Sequence, residues 1–591
     1  MDDGGLAAQL NELESKNREL QARLSEMVLS KSWRLTAPLR GVFQIWSAFY
    51  GLWDARPAPE MKPNPELQPA PEPEQKLQPE PQRDPKLQPE TEPDMEPQSE
   101  KSPQLSDRET EQVNFIRATG RFEENFYPGL QEAHQSGLDP IRHYLSFGEV
   151  RDYAPAHDFE PHYYRERHPD VAAAGVNCFL HYLQYGIDQH RQSLPTDTRI
   201  TFPQEKLTCR GRVLLMVHDA SRTGAPILAW NLVRKLKARH DVVVLLRRGG
   251  ELVASFEQVA SAVIQWPKDA EEHPVDIRRL VQKLVAIYRP SYAIANSAET
   301  RLYVQDFENQ GVPVVALVHE FAEYMRPVGT LDQLYNSASA IVFPADIVAQ
   351  SSYGEYPALY EREVHIMPQG PCQIPRFSGG RSEEVQQIFQ MRDEHRFLVV
   401  GMGAVHFRKG TDLFVTIASW VRRLVGDRAT FLWVGQGYDP NDDVAYSAYL
   451  RDQINRFDLA SSFQFSPLVD NLEPIYSRAS LFLMSSRLDP LPNVALDAAL
   501  RGLPLICFDQ ASGMAELMKA REETRDMVVP YLDCGAAALA ISEFVLDGER
   551  LRQRSNAIRA FAEEAFDMDR YVEVIDSIGR RLSANAVTKN A

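Results

Sequence analysis

The chain has 591 residues, of which 43% are hydrophobic and 25% are charged, a composition typical of a soluble protein with roughly three to five domains. Its formal net charge of −18 argues against a general nucleic-acid binder, in which a basic face is expected. The five cysteines form no CxxC pair, which argues against a structural zinc site or a disulfide framework. The most hydrophobic uncharged run, residues 41–53, is too short to span a bilayer, and no signal peptide is recognisable. We therefore predict a cytoplasmic protein that can touch the inner face of the cell membrane without crossing it.

The sequence of the N-terminal segments predicts association with a second chain and with a membrane rather than a catalytic site. Within residues 1–29, apolar side chains alternate spacings of three and four, which predicts a coiled coil and a homodimer through residues 6–28. An amphipathic helix packed on its own chain is the alternative. The segment 30–56 follows, and its crowded aromatic residues and its basic residues predict peripheral membrane contact through residues 33–53. Burial of this helix against another domain or the coil partner is the alternative, with equal support.

Residues 57–105 contain 14 of the 40 prolines, and an LQP-containing unit recurs every ten residues. Proline lacks the backbone N–H and has a fixed φ, so this composition predicts an extended acidic linker without a packed core.

An internal repeat occupies residues 106–200. The segment RFEENFY at 121–127 matches DFEPHYY at 158–164, and each copy later contains a His-Tyr-Leu sequence beginning at His143 or His181. A repeat of this period predicts a helical unit used twice. The paired histidines could suggest a metal site, but the repetition alone favours a packing role. The second copy resembles a short helical module found beside bacterial glycosyltransferase domains.

Two series of β-branched apolar runs, each followed by a helical pattern, occupy the rest of the chain. The first includes VLLMV at 213–217, with a helix near 226–236, and the second begins with FLVVG at 397–401. Buried parallel strands alternating with helices predict two doubly wound, Rossmann-like domains, at 205–378 and 379–591, with the ligand site in the cleft between them.

Polar residues follow these predicted strands. Gly224 lies in the loop after the first strand, where it allows close backbone approach and opens a helix whose amides can meet an anion. His319 follows the fourth strand that we recognise in the first series. Arg408 and Lys409 open a helix in the second, where two cations suit a diphosphate. A structural glycine, a structural histidine and a solvated charged turn are the corresponding alternatives.

The most specific segment is SSRLDPLPNVALDAALRGLPLICFD at 485–509. Asp489 follows a predicted strand, and Asp497 lies on the helix after it. Asn493 is predicted to cap that helix, leaving backbone N–H groups free for phosphate oxygens. The two aspartates can accept hydrogen bonds from hydroxyl groups, so the segment suits a sugar joined to a nucleoside diphosphate.

The Asp489-x7-Asp497 spacing, with RGLPLI after it, resembles the glutamate-x7-glutamate motif of retaining, nucleotide-sugar-dependent glycosyltransferases of family 4, which have the GT-B fold. The resemblance covers roughly 211–565 and implies a first domain on the acceptor side and a second on the donor side. It implies that Asp489 lies beside the donor sugar and that Asp497 holds the ribose. It further implies diphosphate binding by Arg408 with Lys409, a position near the reacting sugar for His319, and phosphate approach at Gly224.

The resemblance implies metal-independent transfer of a sugar, with retention and without a cofactor, to a growing surface polysaccharide or a lipid-linked glycan. Two departures are visible: both acids are Asp rather than Glu, and Ala404 stands where the family pattern has an arginine, for which Arg408 is the expected substitute. They motivate one alternative, a non-catalytic scaffold that organises polysaccharide-assembly partners. The other alternative is a nucleotide-sugar epimerase of the same fold.

Overall fold

The structure is a computed structural model, and it describes residues 107–208, 210–375, 396–469 and 471–590. The predicted coiled coil, aromatic segment and proline-rich linker lie outside the described residues, as do the dimer and membrane contacts assigned to them. Within the described part of the chain, no helix combines the length and apolar character needed to cross a bilayer.

The repeat segment folds into six short helices in two similar copies. In each copy a tyrosine hydroxyl pairs with Nδ1 of the repeated histidine, at 2.7 Å for Tyr127 and His143 and at 3.0 Å for Tyr164 and His181. These equivalent contacts agree with the packing role predicted for the histidines. The helices are α1 Asp107–Thr119, α2 Leu130–Gln135, α3 Pro140–His143, α4 Pro161–Arg167, α5 Pro169–Ala174 and α6 Cys178–His181.

The first Rossmann-like domain contains a seven-stranded parallel sheet with the order β3-β2-β1-β4-β5-β6-β7. Its strands are β1 Arg212–Val217, β2 Asp241–Leu246, β3 Ala262–Gln265, β4 Tyr292–Asn296, β5 Val314–Leu317, β6 Ala340–Phe343 and β7 Val364–Ile366. The α-helices between them are α7 Gly224–Leu236, α8 Val253–Val259, α9 Pro274–Tyr288, α10 Arg301–Asn309, α11 Asp332–Ser337 and α12 Asp346–Glu355. The central strands are apolar except at their ends because helices cover both faces of the sheet.

The second domain contains a six-stranded parallel sheet with the order β10-β9-β8-β11-β12-β13. Its strands are β8 Phe397–Met402, β9 Ala429–Val434, β10 Phe463–Ser466, β11 Leu481–Met484, β12 Leu505–Phe508 and β13 Val528–Val529. The helices are α13 Thr411–Val425, α14 Ser447–Arg456, α15 Glu473–Arg478, α16 Asn493–Leu500, α17 Gly513–Lys519, α18 Cys534–Leu546, α19 Gly548–Ala565 and α20 Met568–Asn590.

The last helix, α20, returns to the first domain. Its apolar side chains, among them Tyr571 and Ile575, join the core beneath β4 rather than the core of the second sheet. The chain therefore passes twice between the domains, once after β7 and once before α20. At this double crossing a Cβ on Gly370 would lie 2.0 Å from the backbone nitrogen of Met568, so the two segments are in close backbone contact.

The repeat module docks on α9 of the first domain through a buried acid. Asp276 is 1% exposed and accepts hydrogen bonds from the Tyr163 hydroxyl at 3.0 and 3.1 Å and from the backbone N–H of Thr196 at 2.8 Å. The guanidinium of Arg167 lies 3.6 Å from the same carboxylate. A buried charge with this many donors fixes the module firmly on the domain.

The prediction of two Rossmann-like domains is confirmed, with two local corrections. The helix predicted near 226–236 begins two residues earlier, at Gly224. The strand β3, which spans four residues and has a partly exposed face, lies between predicted strands. His319 therefore follows the fifth strand of the first sheet, not the fourth as expected from the sequence.

Candidate active site

The two domains face each other across a cavity of about 410 Å³. In the first sheet the strand order reverses between β1 and β4, and in the second between β8 and β11. Loops that follow such strands open a crevice at the carboxyl edge of a parallel sheet, where ligands bind. The cavity is lined by loops of this kind from both sheets.

All seven site residues predicted from the sequence line this one cavity, although they come from five different loops and helix starts. They are Gly224, His319, Arg408, Lys409, Asp489, Asn493 and Asp497. The structure thus brings the predicted residues together.

Gly224 begins α7 on the first-domain wall of the cavity. The helix has Thr223 as its N-cap residue but no side chain that caps it. A Cβ added to Gly224 would meet only Nδ2 of Asn493, at 3.9 Å, so the backbone of this turn faces open space. A ligand phosphate could therefore approach the first amides of α7 closely.

His319 is oriented by a hydrogen bond to Asn296, a residue that the sequence did not indicate. Its Nε2 lies 3.1 Å from Oδ1 of Asn296, whose Nδ2 donates to the carbonyl of Ala225 at 2.8 Å. Since the amide nitrogen is used in that bond, the network assigns the imidazole proton to Nε2. Burial lowers the pKa of His319 and His218 lowers it further, whereas Glu320 opposes them, so the ring is held neutral.

The residue after His319 organises the same sheet edge. The Glu320 carboxylate accepts hydrogen bonds from the Ser297 hydroxyl, from the backbone N–H of Ala298 at 3.1 Å and from that of His319 at 3.0 Å. Ser297 is buried and has a φ of +88°, which is rare for a residue with a side chain. Strained backbone of this kind is concentrated at functional sites, where the surrounding contacts must hold it in place.

On the second-domain wall, two cations converge on one buried acid. Asp489 is 4% exposed, and its carboxylate binds Nζ of Lys409 and Nη1 of Arg408, the latter at 3.2 Å. Arg408 also donates to the carbonyl of Leu488 at 2.9 Å, and the Ser486 hydroxyl donates to Asp489 at 3.2 Å. Burial alone would raise the pKa of Asp489, but Lys409 and Arg408 outweigh it and lower the pKa.

The prediction that Asn493 caps its helix is wrong. Pro492 occupies the N-cap position and Asn493 is the first helical residue, with no side-chain cap. The Asn493 side chain instead points across the cavity: Nδ2 donates to the carbonyl of Gly224 at 3.3 Å, and Oδ1 accepts from Nε2 of Gln369, also at 3.3 Å. The physical reason is that the fixed φ of Pro492 suits the extended N-cap conformation. The asparagine is thereby moved into the first turn, from which it bridges the two domains.

Asp497 lies one turn further along α16. Burial raises its pKa to about 6, an effect that Arg501, at 3.8 Å, opposes and that Glu473 reinforces. The carboxylate therefore enters the cavity with few hydrogen bonds of its own. Such a group can accept hydrogen bonds from ligand hydroxyls.

Two further observations concern the chemistry of the lining. Ala404 lines the cavity, and Arg408 reaches Asp489 from four residues further along the same loop. Across the described ranges, no group of three or more His, Cys, Asp or Glu side chains is placed to hold a metal ion.

Comparison with known families decides the class of the second domain. Residues 394–547 match the family model described as "Glycosyl transferases group 1". This part of the chain is similar in sequence to group 1 glycosyltransferases. The match contains Arg408, Lys409, Asp489, Asn493 and Asp497, but it does not include the first domain or the repeat module.

Solved structures show that both domains together have the GT-B fold. HepE from Anabaena, crystallised with UDP and glucose, is 15% identical, with a TM-score of 0.52 over 62% of this chain and 98% of its own. Sucrose-phosphate synthase from Thermosynechococcus elongatus is 16% identical, with a TM-score of 0.52 over 64% of this chain and all of its own. No curated protein sequence matches the chain significantly. The cavity thus lies between the domain that matches the group 1 family and a first domain that completes the GT-B fold.

Proposed function

We propose that this chain transfers a sugar from a nucleoside-diphosphate donor to a glycan or lipid-linked glycan acceptor, with retention of the anomeric configuration and without a metal ion. The observation that carries the proposal is the convergence in one cavity of two cations, two helix starts without side-chain caps, one buried carboxylate and one partly buried carboxylate. This combination is complementary to an anionic group flanked by hydroxyl-bearing rings.

The diphosphate is proposed to bind Arg408 and Lys409. Asp489 neutralises only one of their two positive charges, so one positive charge remains to attract an anion. The uncapped amides at the starts of α7 and α16 add partial positive charge on both sides of the cavity. These groups are fixed before the ligand arrives, which is the arrangement that stabilises charge developing on a leaving group.

The hydroxyl groups of the donor are proposed to meet the two acids and the histidine. Asp497 is assigned to the ribose, and its pKa of about 6 leaves it mostly ionised at neutral pH, when it acts as an acceptor. Asp489 and His319 are assigned to positions beside the transferred sugar. The neutral His319 ring can hydrogen bond to a sugar hydroxyl or to the developing charge without adding a full charge of its own.

In the proposed reaction the acceptor hydroxyl attacks the anomeric carbon from the face that the diphosphate leaves. The bond between the anomeric carbon and the phosphate oxygen breaks, the bond to the acceptor oxygen forms, and the acceptor proton passes to the departing diphosphate. Closure of the two domains over the donor brings both walls to the substrate, since each domain supplies part of the site.

The test is the stereochemistry of transfer. The full-length protein would be incubated with UDP-glucose first, because the similar HepE structure contains UDP and glucose, and then with GDP- and dTDP-sugars, each with a lipid-linked oligosaccharide acceptor. Proton NMR of the glycan product is expected to show the anomeric configuration of the donor, and Asp489→Asn is expected to abolish the product. An inverted product would contradict retention, and release of an altered free sugar would indicate the epimerase alternative.

The ion pairs of Asp489 with both cations favour a second candidate. A site whose charges satisfy one another, with Ala404 in place of an arginine, would suit a non-catalytic scaffold that organises partner enzymes. A folded protein that binds no nucleotide diphosphate would support the scaffold and contradict the enzyme.

A further inference from the structure

Arg487 contacts the loop that carries Arg408 and Lys409 through both its backbone and its guanidinium group. It lies two residues before Asp489, between β11 and α16, and its side chain is 17% exposed. Its backbone N–H donates to the carbonyl of Arg408 at 2.9 Å, and its Nη1 donates to the carbonyl of Phe407 at 2.8 Å. The guanidinium carbon lies 3.7 Å from the centre of the Phe407 ring.

The same guanidinium is fixed by a bidentate ion pair. Nη1 and Nη2 of Arg487 donate to the two carboxylate oxygens of Asp412 at 2.9 and 2.7 Å. The Tyr446 hydroxyl donates to Asp412 at 2.7 Å and accepts from the Asp412 backbone N–H at 3.1 Å. Planar bidentate pairs of this kind constrain orientation as well as distance, and a lysine cannot reproduce them.

A third contact fixes the other end of the turn. Gly410 has a φ of +67°, and a Cβ there would lie 2.0 Å from the carbonyl oxygen of Ser485. The Ser485 hydroxyl donates to the carbonyl of Gly410 at 2.9 Å. The loop after β11 thus holds the turn 407–410 along its length, and Arg408 and Lys409 project from this turn into the cavity.

We propose that Arg487 is a positioning residue: its guanidinium, paired with Asp412, holds the turn 407–410 so that the side chains of Arg408 and Lys409 point at the donor diphosphate. This inference rests on the proposed function. Arg487 itself does not line the cavity, and its charge is neutralised by Asp412, so its contribution passes through the geometry of the turn.

The ratio of diphosphate affinity to monophosphate affinity distinguishes a positioning role from a general loss of structure. Calorimetric titration of the full chain with UDP and UMP, and in parallel with the GDP–GMP and dTDP–dTMP pairs, measures how strongly the second phosphate is preferred. We expect Arg487→Ala to reduce this preference about tenfold, the loss typical of one hydrogen bond to a charged group, with little change in monophosphate affinity. Two milder variants of the same pair, Arg487→Lys and Asp412→Asn, are expected to reduce it in the same direction.

Arg422→Ala is the matched control. Arg422 lies on α13, is 25% exposed and pairs with Asp458, away from the cavity lining. It is expected to leave the diphosphate preference unchanged. If Arg487→Lys and Asp412→Asn fold and keep the wild-type preference, or lose both affinities equally, the positioning role is overturned while the proposed function stands. A wild-type protein that binds none of the three diphosphates overturns the proposed function and this role with it.

Discussion

The two GT-B domains supply different chemistry to the same cavity. The first domain contributes mainly uncharged groups: a glycine turn, a neutral histidine and the asparagine behind it, with Arg222 as the one charged side chain among the described residues of its lining. The second contributes most of the charges, with Arg408, Lys409 and Asp489 in one cluster and Asp497 one turn beyond Asn493.

The family match covers residues 394–547, which contain the charged wall, and not the first domain. Charges at fixed spacing on one loop and helix leave a strong sequence pattern. A neutral wall built from backbone and single side chains after different strands does not. In the first domain, the buried Asp276 has a structural role instead, because it anchors the repeat module.

The largest expected effect tests the structural role of the buried Asp276 carboxylate. Asp276→Ala removes the acceptor for Tyr163 and Thr196 and is expected to lower the free energy of unfolding, measured by urea denaturation, by about 4 kcal/mol. Nucleotide affinity of the folded protein should not change, because Asp276 does not line the cavity.

Asp269→Ala is the control, since Asp269 is 74% exposed and pairs with Arg199 at the surface. An exposed surface pair of this kind contributes little to stability. If Asp276→Ala and Asp269→Ala destabilised the protein equally, the buried acid would not be the anchor of the module.

The next effect tests the charged wall. Lys409→Ala is expected to weaken UDP binding about a hundredfold in calorimetric titration, because it removes a cation from the phosphate site and leaves Asp489 with Arg408 as its single cationic partner. Lys519→Ala, which removes another lysine–aspartate pair of the same domain, is the control. Equal affinity in the two variants would show that the phosphates bind elsewhere.

Asp497 gives a pH-dependent test. Its pKa is about 6 in the folded protein, above the value of an unfolded chain, so ionisation costs stability as the pH rises from about 4 through 6. Asp497→Asn should therefore stabilise the protein by about 3 kcal/mol at pH 8 and by almost nothing near pH 4. The urea midpoints of Asp497→Asn and of the exposed control Asp452→Asn would be compared at both pH values. A constant difference across pH would contradict the raised pKa.

The smallest effect tests the neutral wall. His319→Gln is expected to slow sugar transfer about tenfold, the loss of one hydrogen bond at the reacting sugar, while UDP affinity stays the same. Asn296→Asp should raise the pKa of His319 and shift the pH profile of transfer upward, because a carboxylate would replace the amide at Nε2. Loss of UDP affinity in His319→Gln would place the histidine at the phosphates instead.

The sequence was sufficient for the two Rossmann-like domains and for seven of the residues that line the cavity, because apolar strand runs and the Asp-x7-Asp spacing are local patterns. It was not sufficient for contacts between loops that are distant in the chain. Arg487 lies within the segment 485–509, but its partners Phe407 and Asp412 are 80 and 75 residues earlier in the chain. No spacing pattern in the sequence indicates these contacts. The predicted capping role of Asn493 is wrong for a related reason. Pro492 occupies the N-cap position, and the Asn493 side chain donates a hydrogen bond to the carbonyl of Gly224 in the other domain.

The central claim, a donor site shared by a largely neutral wall and a charged wall, is tested most directly by thermal stabilisation of the full chain with UDP-, GDP-, dTDP- and CMP-sugars. A ligand at a hundred times its dissociation constant should stabilise the native protein by about 2.7 kcal/mol. The account predicts that one nucleotide class stabilises the wild type but neither Lys409→Ala nor Asp497→Ala. Stabilisation of all three proteins alike, or of none by any donor, would contradict it.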